Sequence, residues 1–281
     1  FRIEAGATVA AGRSLLSAGF IYERYKEKPQ FSRVYNSGAD YFIYLMTGLG
    51  TQVTGLENSP SWTQNVPGAY LEWALRGDAN RLSVRYSFKY GQDHLKSEST
   101  QSSSYQETRT EYAFMAHGLE LADVRSLGNG GKLLFDTDFY LTQGDGSNWN
   151  KTISSFVEDY QALLYGGSLS AGYYNSSSWF RKAGISAAAD GESRHDKNYD
   201  ATLDGIRFVC GASVGFGCRA GKADVSLDLN GGMSFWPYAD YEPNAAHDGY
   251  NIYTTYVGRA EEAYMNAGQW LAGLKFNVEF P

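Results

Sequence analysis

Hydrophobic and polar residues alternate with a period of two along much of the 281-residue chain. The clearest case spans residues 69–90, where two alternating runs flank the turn Gly77–Asn80. Folding this segment symmetrically about the turn predicts three cross-strand pairs: Leu71 with Tyr86, Trp73 with Val84, and Glu72 with Arg85. Both runs then place their apolar residues on the same face. The segment is therefore predicted to be a β-hairpin.

The same alternation recurs elsewhere in the chain. A second hairpin is predicted over residues 208–235, around the turn Gly217–Lys222, and the C-terminal run 268–281 alternates strictly from Trp270. Weaker copies cover Phe1–Val9, Leu16–Tyr22, Leu133–Leu141, Leu163–Tyr173 and Trp179–Ala189. No helical period of comparable length competes with them. The chain is therefore predicted to be all-β and antiparallel.

A soluble β-sandwich would also alternate, but three features favour a membrane protein. The predicted strands exceed the usual length of about 5–6 residues. Their polar faces carry full charges, and aromatic residues gather near strand ends, as Tyr173 and Trp179 do. Transmembrane barrels combine these three features. We therefore expect one domain, residues 1–281, forming an antiparallel up-and-down transmembrane β-barrel of about 12–14 strands.

The alternation assigns side chains to two predicted faces. The charges expected to face the lumen are Glu4, Glu72, Arg81, Arg85, Lys89, Asp136, Asp138, Asp224, Asp228, Lys275 and Glu279. The residues expected to face lipid are Leu71, Trp73, Val84, Tyr86, Phe88, Val214, Phe216, Val225, Leu227, Leu229, Trp270, Leu274, Phe276, Val278 and Phe280. The lumen charges either line a water-filled pore or pair across it and fill it.

Connection lengths agree with this orientation, since such barrels have short periplasmic turns and long extracellular loops. Counting back from the C-terminus, long and short connections alternate. The segments predicted as long are Pro237–Glu262, Asp190–Asp200, Gln143–Asp159 and Gln92–Ser104; those predicted as short are Gly217–Lys222, Asn175–Ser178, Arg125–Gly131 and Gly77–Asn80. Near the N-terminus, residues 39–56 form either one strand or two split at Thr47–Gly50. If they form two strands, the barrel needs one more strand before Phe1 to reach an even number, which suggests further sequence there.

Charge and composition exclude other classes of protein. The net charge is -7 with no basic stripe, which argues against nucleic-acid binding. The mean hydropathy of -0.41 would suggest a soluble protein, but that measure is suited to helical spans. Cys210 and Cys218 stand eight positions apart on one predicted strand and its turn, too far apart for a disulfide.

No catalytic, cofactor or metal motif emerges from the sequence. His94 and His195 fall in predicted loops, and His117 is expected to face the lumen. The loop Tyr238–Asn251 is acidic and tyrosine-rich but lacks the spacing of a calcium loop. Its residues predicted to contact a partner, if it is more than a solvated loop, are Tyr238, Asp240, Tyr241, Glu242, His247, Asp248 and Tyr250.

Two stretches carry a family resemblance. The tail WLAGLKFNVEF resembles the C-terminal assembly strand of Gram-negative outer-membrane proteins, although Pro281 follows its final Phe280. The stretches LSAGFIYERYKEK and GADYFIYLMTGLG resemble an uncharacterised family of outer-membrane β-barrels from Bacteroidota. The resemblance implies an accessory barrel, often associated with TonB-dependent uptake systems, and no catalytic residues.

The expected function is therefore that of an integral outer-membrane barrel serving a surface nutrient-uptake or envelope assembly. Its expected partners are outer-membrane lipid, lipopolysaccharide and other surface proteins such as a TonB-dependent transporter. The alternative is a passive diffusion channel with a charged lumen. An outer-membrane enzyme is the third reading, since a hidden histidine site leaves no spacing signal.

Overall fold

The computed structural model describes twelve segments of the chain. These are residues 1–27, 41–44, 50–53, 61–99, 102–128, 130–150, 153–175, 179–197, 200–220, 223–242, 262–263 and 265–279. Within them the chain forms thirteen β-strands. The first seven are β1 (Arg2–Ala11), β2 (Ser14–Glu27), β3 (Tyr41–Tyr44), β4 (Gly50–Val53), β5 (Ser61–Arg76), β6 (Asn80–Ser99) and β7 (Ser102–Ser126). The remainder are β8 (Lys132–Asn150), β9 (Ser155–Tyr174), β10 (Phe180–Asp196), β11 (Ala201–Ala220), β12 (Ala223–Glu242) and β13 (Gln269–Glu279).

Eleven of these strands form one antiparallel, up-and-down sheet in the order β1-β2-β5-β6-β7-β8-β9-β10-β11-β12-β13. The all-β, antiparallel prediction is confirmed. Residues 39–56 contain two short strands, β3 and β4, which pair with each other in a separate hairpin. They add nothing to the main sheet, so its described part has fewer strands than the predicted 12–14.

The predicted register of the hairpin between β5 and β6 is confirmed. Leu71 pairs with Tyr86, Trp73 with Val84, and Glu72 with Arg85. The connections from β5 to β6 and from β7 to β8 are short, as predicted. The strands that flank the other two predicted short turns end close to them, with residues 176–178 and 221–222 outside the described residues.

Three of the four predicted long loops are wrong. Strands β6 and β7 continue through most of 92–104, β8 and β9 through most of 143–159, and β10 through most of 190–200. The connection 243–268 remains long, although β12 extends to Glu242. The ladder continues because backbone groups pair whatever the side chains are. Where both faces turn polar, the alternation that marks a strand in the sequence disappears while the strand itself persists.

One face of the main sheet is apolar and exposed; we call it the apolar face. Register places Ala18, Leu71, Tyr86, Leu119 and Phe139 in a single row across five strands. Leu71 is 64% exposed and, at the far end of the sheet, Trp270 is 81% exposed. The apolar face therefore crosses the whole sheet in contact with the surroundings.

The opposite face carries the charges and also the buried residues; we call it the inner face. Register places every buried hydrophobic side chain of the described strands there, namely Ile21, Val66, Ala74, Tyr112, Tyr160, Ala162, Ala201, Leu203 and Tyr241. In a soluble sheet the apolar face would be the buried one. The arrangement here is the reverse.

The sheet curls around its inner face. Nη2 of Arg85 on β6 lies 2.7 Å from Oε1 of Glu4 on β1, although β2 and β5 lie between those strands. Three strand spacings amount to about 14 Å along a flat sheet. The two side chains span that distance most easily when the inner face is concave.

The two edge strands run in the same direction. Within the described residues, β1 pairs with β2 alone and β13 with β12 alone. Because consecutive strands alternate in direction and eleven is odd, β1 and β13 are parallel. An all-antiparallel closed sheet requires an even number of strands, so this sheet would close through one further strand or through a parallel pair.

Aromatic rings lie over glycines on the inner face. The ring of Phe114 covers Gly91, its cross-strand partner, and the three atoms nearest to a Cβ at Gly91 would all belong to that ring. The ring of Tyr70 similarly covers Gly19 of β2 and reaches Gly6 of β1. Glycine leaves the space into which these rings fold, which favours tight curvature.

We expect Gly91→Ala to lower the free energy of unfolding by about 1–3 kcal/mol, because its methyl group would displace the Phe114 ring. The matched control is Gly118→Ala, where a new Cβ would meet only the hydroxyl of Ser87. Combining Gly91→Ala with Phe114→Leu should recover part of the loss. Denaturant unfolding in detergent measures these differences. Equal losses for Gly91→Ala and Gly118→Ala would contradict the packing of Phe114 on Gly91.

Candidate functional site

The predicted lumen charges all lie in register positions of the inner face. Glu72 pairs with Arg85, Asp136 and Asp138 with Ser170 and Ser168, and Asp228 with Lys275. The residues predicted to face lipid occupy the opposite, apolar face, with Phe280 outside the described residues. Both sets are thus grouped as predicted, whereas their contact with a lumen and with lipid stays a prediction.

A network of ion pairs ties together the N-terminal strands on the inner face. Glu4 accepts from Arg2 at 3.0 Å and from Arg85 at 2.7 Å. Glu23 accepts from Lys89 at 3.0 Å and lies 3.5 Å from Arg2. Each of these side chains retains some exposure, so a single pair contributes little. Together they link β1, β2 and β6 and compensate the charges of Arg85 and Lys89.

Other pairs cross one strand by passing over a glycine. The hydroxyl of Tyr140 on β8 donates to Oδ1 of Asp190 on β10 at 2.8 Å, over Gly166 of β9. Nζ of Lys182 on β10 lies 2.9 Å from Oδ2 of Asp228 on β12, over Gly215. These pairs run along the curved surface between next-nearest strands.

A cavity remains on the inner face beside Asp136 and Asp138. Its volume is about 570 Å³, and its lining also includes Glu72, Arg85 and Glu120. This part of the inner face can therefore hold water at the level of the apolar face. The charged side chains there do not fill all of the space.

His117 was predicted to face the lumen, and that prediction is wrong. Its register partners are Phe88 and Leu141, both on the apolar face. Nδ1 of His117 lies within hydrogen-bonding distance, 2.7 Å, of the Tyr86 hydroxyl. That partner offsets the cost of a polar ring on an apolar surface. The prediction was wrong because it assumed that a polar residue such as His117 belongs to the inner face.

The predicted partner-contact loop is partly wrong. Residues 238–242 belong to β12, and the register of that strand directs Tyr241 inward and Tyr238, Asp240 and Glu242 outward. The Tyr241 side chain is 6% exposed, packed in a cluster with Ala201, Leu203 and Met265. It cannot contact a partner from there. His247, Asp248 and Tyr250 lie outside the described residues.

Met265 precedes β13 next to Asn266, whose backbone N–H donates to the Glu262 carbonyl oxygen at 2.9 Å, and it is 2% exposed. Its contacts with Leu203 and Tyr241 bring the end of the connection 243–268 onto the inner face. The sheet is therefore filled at this level, in contrast to the open cavity beside Asp136.

A second cluster, missed by the sequence analysis, lies beyond the apolar face. On β6 that face ends at Tyr90, and the outward residues that follow are the polar Gln92 and His94. At this level the inner face carries one row across the strands: Gln64, Asp93, Tyr112, Gly146, Tyr160 and Asp196. The ring of Tyr112 lies over Gly144 of β8 and meets the ring of Tyr160, with ring centroids 5.9 Å apart.

These rings border a cavity of about 220 Å³, which we call the aromatic pocket. Its walls include Trp62, Tyr112, Phe114 and Tyr160, with Asp93 and Arg194. Burial raises the pKa of Asp93 to about 6, against the lowering effect of hydrogen bonds from Gln64 and Trp62. Burial also raises the pKa of the neighbouring Tyr112 to about 12, assisted by the negative charge of Asp93.

The sequence does not reveal this pocket, because Asp93 and Arg194 fall in segments predicted to be loops. The residues of one row come from six different strands, so no local spacing brings them together. The one available signal was that Tyr112 and Phe114 are two positions apart on β7. Ordinary strand alternation produces the same spacing.

The fold and its inner face define the class of protein: an all-β protein built on a single curled, antiparallel up-and-down sheet. The chain belongs to the family of unknown function DUF6850, whose model matches residues 1–281. Searches of curated proteins and of solved structures find no match.

Two further observations concern the described residues. They contain no group of three or more His, Cys, Asp or Glu side chains placed to hold a metal ion. In the part of the chain that the structure describes, no helix has the length and apolar character needed to cross a membrane.

Asp93 should make stability depend on pH. Its pKa in the folded protein, about 6, lies above the ordinary 3.8, so folding favours the protonated form. Stability should therefore fall as pH rises from about 4 to about 6 and then level off, by about 3 kcal/mol in total. Asp93→Asn should remove this dependence and exceed the wild type at pH 8. Denaturant unfolding at several pH values measures the free energy of unfolding of both proteins. A difference between wild type and Asp93→Asn that does not change with pH would contradict the assignment.

Proposed function

We propose that the protein is an integral outer-membrane β-barrel that serves as an accessory component of a cell-surface uptake or envelope assembly. The observation that carries the membrane proposal is the exposed apolar face across all eleven strands. Contiguous apolar patches on soluble monomers rarely exceed a few hundred Å². A bilayer accommodates such a face, and a sheet satisfies the backbone groups that hydrocarbon cannot.

Closure is the condition that this proposal imposes on the edges. An unpaired strand edge within hydrocarbon would leave backbone N–H and C=O groups without partners, at several kcal/mol each. The parallel orientation of β1 and β13 restricts the solution to one additional strand or a parallel pair.

The long strands support a role at the cell surface. A strand of 20 residues such as β6 is about 66 Å long, whereas the apolar band of an outer-membrane barrel is about 25 Å tall. The excess lies at the end opposite the short turns. We place that end outside the cell, where it would reach lipopolysaccharide and a partner such as a TonB-dependent transporter, in line with the family resemblance of the sequence.

Co-purification tests the accessory role. Mild detergent extraction followed by affinity purification should recover the barrel with a larger outer-membrane protein. Recovery of an isolated barrel under conditions that preserve other outer-membrane complexes would contradict it.

A passive diffusion channel is the second candidate, favoured by the cavity beside Asp136 and Asp138. Against it stand the ion pairs along the inner face and the buried Met265. Conductance in planar bilayers separates the two candidates. Stable single-channel currents, altered in Asp136→Asn, would favour the channel; their absence would favour the accessory barrel.

The two cysteines provide a direct test of membrane contact. Cys210 lies in the middle of the apolar face and Cys218 near the short-turn end of the same strand, and both are exposed. In intact outer membranes, we expect Cys210 of the Cys218→Ser variant to react with a lipid-soluble maleimide and to resist a sulfonated one.

The matched variant Cys210→Ser reports on Cys218. Its thiol should react with the sulfonated reagent far more readily once the membrane is opened to give access to that end. Rapid reaction of Cys210 with the sulfonated reagent in sealed membranes would contradict the membrane proposal.

A further inference from the structure

The aromatic pocket contains a buried carboxylate, that of Asp93, and one of its two oxygens has no hydrogen-bond donor among the described residues. Asp93 is 5% exposed, and its Oδ1 has no hydrogen-bond partner among the described residues. Its Oδ2 accepts from Nε2 of Gln64 at 3.3 Å, a long hydrogen bond, and Trp62 is a second donor to the carboxyl group. A buried carboxylate oxygen without a partner is costly, and native structures rarely retain one without a functional reason.

The walls around that carboxylate are aromatic. Tyr112 pairs with Asp93 across the strands and stacks on Phe114 with centroids 5.8 Å apart. Tyr160 meets the other side of Tyr112, and Trp62 closes the cavity from β5. The faces of such rings carry partial negative charge and attract cations. Ring faces and carboxylate therefore present the same sign to an occupant.

Arg194 does not change that sign. Its guanidinium lies 2.6 Å from Oε2 of Glu192, two positions along the same strand, so this pair is close to neutral. Asp93 remains as the uncompensated charge of the pocket. An anionic ligand would meet repulsion from Asp93, and a neutral ligand would leave its charge unbalanced.

We propose that the aromatic pocket is a binding site for a small organic cation, an alkylammonium or quaternary ammonium group, with Asp93 as its counter-charge. The volume of about 220 Å³ is below the range of about 300–1,000 Å³ that drug-sized ligands occupy. The pocket therefore accepts one compact cationic head group. Placed between the rings, it would supply Oδ1 with an electrostatic partner and replace the water lost on burial.

Binding should depend on the ionisation of Asp93. With a pKa of about 6, the carboxyl is about nine-tenths ionised at pH 7 and about one-tenth at pH 5. Other charged or titratable groups of the surrounding strands are Tyr112 and Tyr160 with Arg194, Glu192, Asp145 and the buried Asp196. Tyr112, with its pKa raised to about 12, does not change charge in this interval.

Choline is a suitable probe, and 3,3-dimethylbutan-1-ol is its uncharged equivalent of the same shape. We expect calorimetry on the full chain in detergent at pH 7.5 to show choline binding, at least tenfold weaker at pH 5. The neutral alcohol should bind at least tenfold more weakly than choline at pH 7.5. The fluorescence of Trp62, in a variant that keeps Asp93 and has Trp62 as its single tryptophan, provides a second readout.

Two variants separate the pocket from general electrostatics. Asp93→Asn preserves shape and should weaken choline binding at least tenfold and abolish its pH dependence. Asp136→Asn removes a carboxylate from the inner face outside the pocket and should leave binding unchanged. Equal binding of choline and the neutral alcohol, equal loss in both variants, or no choline binding by a folded protein would each overturn the proposal.

The inference goes beyond the proposed membrane function and does not rest on it. The pocket lies past the end of the apolar face, and every residue used in the argument belongs to the paired strands β5 to β10. Membrane contact is tested by the thiol labelling, whereas choline binding is tested in detergent, so one can fail without the other.

Discussion

Backbone hydrogen bonds between neighbouring strands hold this protein together, and the remaining features follow from how the sheet disposes its two faces. The ladders run through segments whose side chains show no strand pattern, as in residues 143–150. Because the backbone supplies the continuity, the outward side chains are free to be apolar and exposed. Among the described residues, one edge of β1 and one edge of β13 have no partner strand. A membrane location requires the backbone groups of those edges to be paired.

Curvature decides what the inner face can do. Glycines allow Tyr70 and Phe114 to lie flat across neighbouring strands, and other glycines let ion pairs such as Lys182–Asp228 pass over an intervening strand. The charges are thus partly compensated along the wall, while a cavity stays open beside Asp136. Further along the strands, aromatic packing replaces ion pairing and leaves Asp93 as a buried acid. One concave surface therefore offers two chemically different environments.

The predictability of these features depends on their range along the chain. Pairs such as Trp73 with Val84 were readable because a tight turn fixes the register of neighbouring runs. The separation of Arg85 from Leu71 onto opposite faces was readable for the same reason. The placement of His117 was not, because a single polar residue on the apolar face depends on Tyr86 of the adjacent strand. The aromatic pocket was not readable at all, since its row assembles residues from six strands, with Asp93 in a segment that resembles a loop.

The central claim is that lipid covers the apolar face, and fluorescence quenching by brominated lipids tests it most directly. Trp73 lies on the apolar face, and Tyr70, three positions earlier and about 10 Å away along the strand, lies on the inner face. Two single-tryptophan proteins can therefore be compared in vesicles, one retaining Trp73 and the other carrying Tyr70→Trp in a tryptophan-free background. We expect strong quenching of Trp73 and weak quenching at position 70. Equal quenching at both positions, or none at Trp73, would contradict the claim.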